Sequence, residues 1–280
     1  MRNFVDLHTH SRASDGQLRP AELVRLAERN HLAAVALTDH DSVAGLAEAR
    51  QAAERLSVRL IPGIEISARF DGGTLHILGL GIDPESPDLA AVARRLIDAR
   101  NERNPKVIDR LRDAGVDVTL DEWIAAAGDS GMVGRLHLAK LLCVKKYARN
   151  IGEAFGRYIG AGTPGFVDKE RLTQAEAVDA IHAAGGLAVL AHPPELNLTN
   201  FAQLDQFVRD LMAKGLDGIE CIHSECSHAQ TRHYMDLAKS LGLLVSGGSD
   251  FHGPANLDVR LGTPRVPVEA VRQLLERLTG

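Results

Sequence analysis

Short apolar runs alternate with amphipathic runs along most of the chain, and that alternation leaves few folds open. "NFVDLH" (3–8) predicts a strand, and "RPAELVRLAERN" (19–30) predicts a helix, with proline at its start and apolar residues at helical spacing. "LAAVALTDH" (32–40) predicts a buried strand and "SVAGLAEARQAAERL" (42–56) a helix. "RLIPGIEISARF" and "TLHILGLGI" predict two strands joined by a turn at Asp71-Gly72-Gly73. From residue 173 onward three further helix–strand pairs follow, ending in "LAVLAH", "LDGIECIH" and "LLVSGGSDFH", and "VPVEAVRQLLERLT" (266–279) predicts a last helix. Repeated strand–helix units imply an α/β fold with a largely parallel sheet, either a barrel or a doubly wound sheet.

The segment 100–162 breaks the rhythm. "NPKVIDRLRDAG", "LDEWIAAAG" and "GRLHLAKLLCVKK" are helical, and no parallel strand is evident among them. The expected organisation is one α/β domain, residues 1–99 and 163–280, carrying a helical insertion at 100–162. At 45% hydrophobic, 280 residues suffice for a sizeable core without disulfides or a structural metal. A net charge of −5 argues against tracking long duplex nucleic acid, which needs a basic face. With 4% aromatics a platform stacking many bases is not expected. No apolar run reaches membrane-spanning length and no leader is expected. Cys143, Cys221 and Cys226 form no CxxC pair and are read as free thiols of a cytoplasmic protein. Cys221 and Cys226, close to His223, are the alternative metal donors.

Polar residues gather where the predicted strands end. His8, His10 and Asp15 follow the first strand, and Thr38, Asp39, His40 and Asp41 the second. Glu65, His76, His192, Glu220, His223, Asp250 and His252 follow in turn. Active sites of parallel α/β folds form at those ends, so groups distant in sequence converge on one mouth. His8 and His10 are two apart on a strand, so both imidazoles point to one face and suit one metal ion. Asp250 and His252 repeat the device. Histidines with carboxylates and no thiolate cluster suit Mn²⁺, Zn²⁺ or Fe²⁺ at a hydrolytic site.

"DLHTHSRASDG", "LTDHDSVAG", "GIEIS", "LAHP" and "GSDFH", spread from residue 6 to residue 252, resemble the successive motifs of the PHP (polymerase and histidinol phosphatase) family. The resemblance implies a distorted (β/α)7 barrel and a centre of three divalent metal ions, Mn²⁺ first among them, that hydrolyses phosphoesters. Carried over position by position, His8, His10, Glu65 and Asp250 would hold one ion. Glu65, His76 and His192 would hold a second, and Asp15, His40 and His252 a third. Glu65 and Asp250 would thus be the central catalytic carboxylates. Asp39 is expected to support His40 rather than bind metal. His223 lies outside the nine-ligand pattern; it is expected either to contact phosphate and protonate the leaving group or to be structural.

Substrate choice is expected to reside in the insertion. "SGMVGRLHLAK" puts Arg135 and His137 just inside a helix start, where they would grip an anionic group; Lys140 reads as a solvated charge. "GRLHLAK" and "AGGLAVLAHP" resemble the PHP subgroup of 3′,5′-nucleoside bisphosphate phosphatases, whose relatives trim short RNA from the 5′ end. That resemblance implies removal of the 3′-phosphate from substrates such as adenosine 3′,5′-bisphosphate. The alternatives are a histidinol phosphate phosphatase, a proofreading or non-catalytic module of a polymerase assembly, and an amidohydrolase acting on C–N bonds.

Overall fold

The structure, a computed structural model, describes residues 2–128, 132–255 and 258–279. In chain order the elements are β1 (Phe4–Asp6), α1 (Pro20–Arg29), β2 (Ala34–Leu37), α2 (Leu46–Ala53), β3 (Arg59–Ala68), β4 (Leu75–Leu80) and α3 (Pro87–Asp113). Then come α4 (Leu120–Ala127), α5 (Arg135–Val144), α6 (Ile151–Ala154) continued by a π-helical turn, α7 (Gln174–Ala183) and β5 (Leu187–Leu190). The chain closes with α8 (Phe201–Met212), β6 (Gly218–His223), α9 (His228–Leu241), β7 (Leu244–Gly248), β8 (Val266–Pro267) and α10 (Arg272–Arg277).

Two compact units result, Met1–Val92 with Arg171–Gly280, and Ala93–Glu170. In the first unit the strands run in the order β7-β6-β5-β4-β3-β2-β1-β8. β1, β2 and β3 are mutually parallel, as are β5, β6 and β7, while β4 is antiparallel to both its neighbours. The sheet nearly closes on itself. Leu7 N–H donates to Gly247 O at 3.1 Å, Asp250 N–H to His8 O at 3.0 Å, and His10 N–H to Phe251 O at 2.9 Å. β8 lies antiparallel along the first half of β1, pairing Val266 with Val5. β2 and β5 are buried along their whole length, as strands covered on both faces must be. The core holds Val5, Leu7, Ala34, Ala36, Leu78, Leu80, Val189 and Ala191, each pair two apart and therefore on one face of its strand.

The helices start where their side chains can satisfy free amides. Thr173 accepts from Glu176 N–H while Glu176 accepts from Thr173 N–H, and Ser227 and Gln230 do the same for α9. The last predicted helix is shorter than expected. Val266 and Pro267 join the sheet instead, because Val266 finds a strand partner and full burial there.

The second unit contains helices and no strand among its described residues. It also begins earlier than the 100–162 expected. The helix expected over "NPKVIDRLRDAG" is the second half of a longer one: α3 runs unbroken through Pro105, whose missing N–H costs one bond in a 27-residue helix rich in good helix formers. Trp123 is fully buried, and its indole N–H donates to Gly134 O at 3.0 Å. Val107, Leu111, Leu138, Leu142 and Ile159 pack with it.

Candidate metal centre

Glu65 sits at the middle of the mouth because its backbone is held on both sides. Its N–H donates to Asp39 O at 3.1 Å, and its carbonyl accepts from Asp41 N–H at 2.8 Å. His76 pairs with Ser67 across β3 and β4, so its ring lies diagonal to Glu65 on the same face. The β1 ladder ends at Asp6, but the bonds to Phe251 and the β7 exit keep residues 7–10 extended, and His8 and His10 face the same way with ring centres 5.2 Å apart.

The donors form overlapping groups, in which the three expected sets can be traced and in which His8, Glu220 and His223 also lie together. His8 Nε2 and His10 Nε2 lie 3.4 and 2.9 Å from Asp250 Oδ1, and 3.4 and 3.3 Å from the two oxygens of Glu65. Glu65 Oε1, His76 Nδ1 and His192 Nε2 form a triangle with edges of 2.8, 2.9 and 3.1 Å. Asp15 stands 3.3 Å from His252 Nε2 and 3.8 Å from His40 Nε2, with His10 alongside. His40 Nδ1 also approaches Glu65 Oε2, at 2.8 Å. Donors sharing one ion through bonds of about 2.0–2.2 Å stand about 3.0–3.5 Å apart. His8 Nε2, His10 Nε2, Glu65 Oε2 and Asp250 Oδ1 are buried and make no well-formed hydrogen bond. Buried polar atoms aimed at one another at that spacing fit divalent ions between them.

The charges of the site support the same fit. Burial opposes ionisation of Glu65, but His40, His76 and His8 outweigh it and hold the carboxyl well below the usual range. Burial likewise opposes charge on Asp15 and Asp250, and His252 beside both keeps them ionised. Burial, with His252 and His40 nearby, pushes His10 down to about 4, leaving a neutral imidazole. Burial would lower His252 too, but Asp15 and Asp250 raise it to about 10.

Several residues act behind the donors. Glu220 lies 3.3 Å from His8 Nδ1 and accepts from His192 N–H at 2.8 Å, which leaves His8 Nε2 for the centre. His252 Nδ1 donates to Asp250 O at 2.9 Å with the same effect. Asp39 does not support the His40 ring as expected. Its carboxylate accepts from Ser11 N–H and Oγ–H, both at 2.7 Å, and from Ser14 Oγ–H at 2.6 Å, latching the loop that carries Asp15. Asp6, which sequence reasoning passed over, accepts from Ser249 N–H and Oγ–H and from Gly262 N–H. It anchors the turn in which Asp250 takes a left-handed φ of 56°. A carboxylate inside the apolar run "FVDL" was its signal. Two glycines are needed for close approach: a Cβ on Gly248 would lie 2.5 Å from His8 Cβ, and one on Gly16 2.4 Å from His10 O.

His223 is buried with its ring 6.0 Å from His8 and 5.8 Å from His192. Its Nδ1 accepts from Glu225 N–H at 3.2 Å, and its Nε2 faces Glu220 Oε2 at 3.9 Å, too far for a hydrogen bond. In the second unit Arg135 opens α5 with its guanidinium 5.8 and 5.9 Å from the rings of Phe155 and Phe166. His137 is buried and its Nδ1 accepts from Gly134 N–H at 3.1 Å. Ser130 and Gly131, the glycine turn expected before them, lie outside the described residues. The three cysteines are free; burial pushes the Cys221 thiol up, and the Cys226 thiol up to about 12.

Residues 6–159 match the PHP domain. A 5′-3′ exoribonuclease of Haemophilus influenzae is 37% identical over 279 residues, 99% of this chain and 100% of its own length. A 3′,5′-nucleoside bisphosphate phosphatase of Chromobacterium violaceum is 36% identical over 250 residues, 89% of this chain and 87% of its own. The crystal structure of a candidate metal-dependent phosphoesterase from Bifidobacterium adolescentis superposes with a TM-score of 0.87 over 98% of this chain and 96% of that one, at 30% identity. Fold, donor geometry and full-length relatives agree: the chain belongs to the PHP domain family and is a metal-dependent phosphoesterase.

Proposed function

We propose that this enzyme hydrolyses the bond between phosphorus and the 3′ oxygen of a 5′-phosphorylated nucleotide. With a nucleoside 3′,5′-bisphosphate such as adenosine 3′,5′-bisphosphate, the products are AMP and phosphate. With a short 5′-phosphorylated oligoribonucleotide, breaking the same bond trims one nucleotide from the 5′ end. One bond therefore accounts for both kinds of relative. The observation that carries the reading is the arrangement of three donor sets around Glu65, with Glu65 oxygens facing donors of all three at 2.8–3.4 Å.

Three divalent ions, Mn²⁺ in the first place, would be held by His8, His10, Glu65 and Asp250, by Glu65, His76 and His192, and by Asp15, His40 and His252. When bound, they supply Lewis acidity at the phosphate oxygens and a water of lowered pKa. The chain's own groups do the rest. Glu65, fully buried, and Asp250, part-exposed, would hold the ions' positive charge against the phosphoryl group. His223 Nε2 makes no hydrogen bond, its nearest carboxylate being Glu220 Oε2 at 3.9 Å, and it is proposed to donate to a phosphate oxygen or to the departing 3′ oxygen. Arg135 and His137 are proposed to bind the phosphate that is not cleaved. Three free cysteines suit a reducing, cytoplasmic setting.

A phosphate-release and chain-shortening screen of the Mn²⁺-loaded protein tests this. It covers adenosine 3′,5′-bisphosphate, a 5′-phosphorylated pentaribonucleotide and histidinol phosphate. The expected order puts the two nucleotide substrates far ahead. Histidinol phosphate as the preferred substrate would overturn the nucleotide reading and leave the metal centre standing. Arg135→Ala should raise KM for the bisphosphate more than it lowers kcat, with a loss in kcat/KM of about ten- to a hundredfold. An equal loss on a mononucleotide lacking the second phosphate would place Arg135 on the transferred group instead.

A further inference from the structure

On the same unit as the metal centre lies a cavity of about 420 Å³ whose lining includes no charged side chain among the described residues. Its walls include Pro193, Pro194, Leu198, Phe201, Leu204 and Tyr234, with Thr199, Asn200 and Gln230 as uncharged polar members. Its residues come from the segment that follows the end of β5, from the first turn of α8 and from the first half of α9. Pro193 is bonded to His192, a donor of the second set, and consecutive Cα atoms are about 3.8 Å apart. The cavity wall thus begins one residue from a group that faces the phosphoryl position.

Phe201 is the distinctive member. It is a large apolar side chain left 41% exposed. It is also fixed: its ring lies on the imidazole of His233, centres 4.0 Å apart and planes within 11°. His233 in turn bonds Asp205 through Nε2 at 2.6 Å. An exposed ring pinned by a stacked neighbour loses little freedom when a second planar group lands on it. The absence of charge disfavours a phosphate here, and the volume falls in the range of small-molecule sites.

We infer that this cavity is the nucleobase site of the enzyme, with the base stacked on Phe201. The inference rests on the nucleotide reading given above and adds to it the part of the chain that recognises the base. Stacking on an aromatic platform tolerates every base, which suits an enzyme that would process RNA of any sequence.

The test compares two substrates of the Mn²⁺-loaded enzyme: adenosine 3′,5′-bisphosphate and its abasic analogue, 1,4-anhydroribitol 3,5-bisphosphate. The readout is the ratio of their kcat/KM values. Phe201→Ala should lower that ratio roughly five- to a hundredfold, chiefly through KM. Phe201→Tyr, which keeps the ring, should hold it within about twofold of wild type. A ratio unchanged in Phe201→Ala, or an equal loss on both substrates, would overturn the inference. If wild type cleaves neither bisphosphate, the functional reading fails, and the cavity is then judged by binding alone. Quenching of 1,N6-ethenoadenosine 5′-monophosphate by wild type and not by Phe201→Ala would support the site; equal quenching by both would overturn it.

Discussion

His8 shows how much of a donor's behaviour is set by what stands behind it. Glu220 takes one ring nitrogen and thereby delivers the other to the centre. Glu220→Gln should keep the fold and weaken metal binding about 10- to 100-fold, the usual effect of losing such an orienting carboxylate. Metal titration of the stripped protein, followed by calorimetry, measures this; an unchanged affinity would remove Glu220 from the centre's support. Protons compete for the same nitrogens. Burial lowers His192 and His252, but Glu65 raises the first to about 9, and Asp15 and Asp250 raise the second to about 10. Both therefore carry protons at pH 7 without metal, and a donor nitrogen must shed its proton to bind an ion. Metal uptake at pH 7 is expected to release protons, and affinity to rise with pH up to about 10. Calorimetric enthalpies that do not depend on the buffer's ionisation enthalpy would contradict this.

At the scale of elements, the site depends on loops latched to strand ends. The loop between β1 and α1 hangs on Asp39, which holds Ser11 and Ser14 through three short bonds. Asp39→Ala leaves two buried hydroxyls and one amide without their acceptor. A loss of about 2–4 kcal/mol in unfolding free energy by urea denaturation is expected. The loop that carries Asp15 should loosen with it, so the third donor set should lose its ion first. A stability within about 0.5 kcal/mol of wild type would show that water replaces Asp39 at no cost. This latch was not legible in the sequence, because "TDHD" offers two aspartates beside one histidine and spacing does not say which loop each one reaches.

For the whole molecule the expected stoichiometry is three divalent ions per chain after Mn²⁺ loading, and fewer in Glu65→Gln, whose amide cannot serve two cations as a shared anion. Elemental analysis of both proteins decides it, and one ion or fewer in fully active wild type would end the three-ion reading. Ions that bind only the folded chain add to its stability, about 4 kcal/mol per site at a thousandfold excess over Kd. Stripping them should therefore lower Tm by at least several degrees, restored on adding Mn²⁺.

The sequence alone determined the α/β alternation, the reversed hairpin of β3 and β4, and the nine acidic and imidazole side chains at strand ends. Each is a local signal: a period of two or 3.6, a Gly-Gly turn, a polar group where an apolar run stops. Tertiary structure decided what depends on contact between distant segments. Closure of the sheet rests on bonds from Leu7 and His10 to residues 247 and 251. The course of α3 through Pro105 went against a local proline signal, and Val266 left a helical pattern for the edge of β1. The supporting carboxylates Asp6, Asp39 and Glu220 follow the same rule. A buried carboxylate is defined by the donors that reach it, and here those donors come from residues 11, 14, 192, 249 and 262, which only the folded chain brings near.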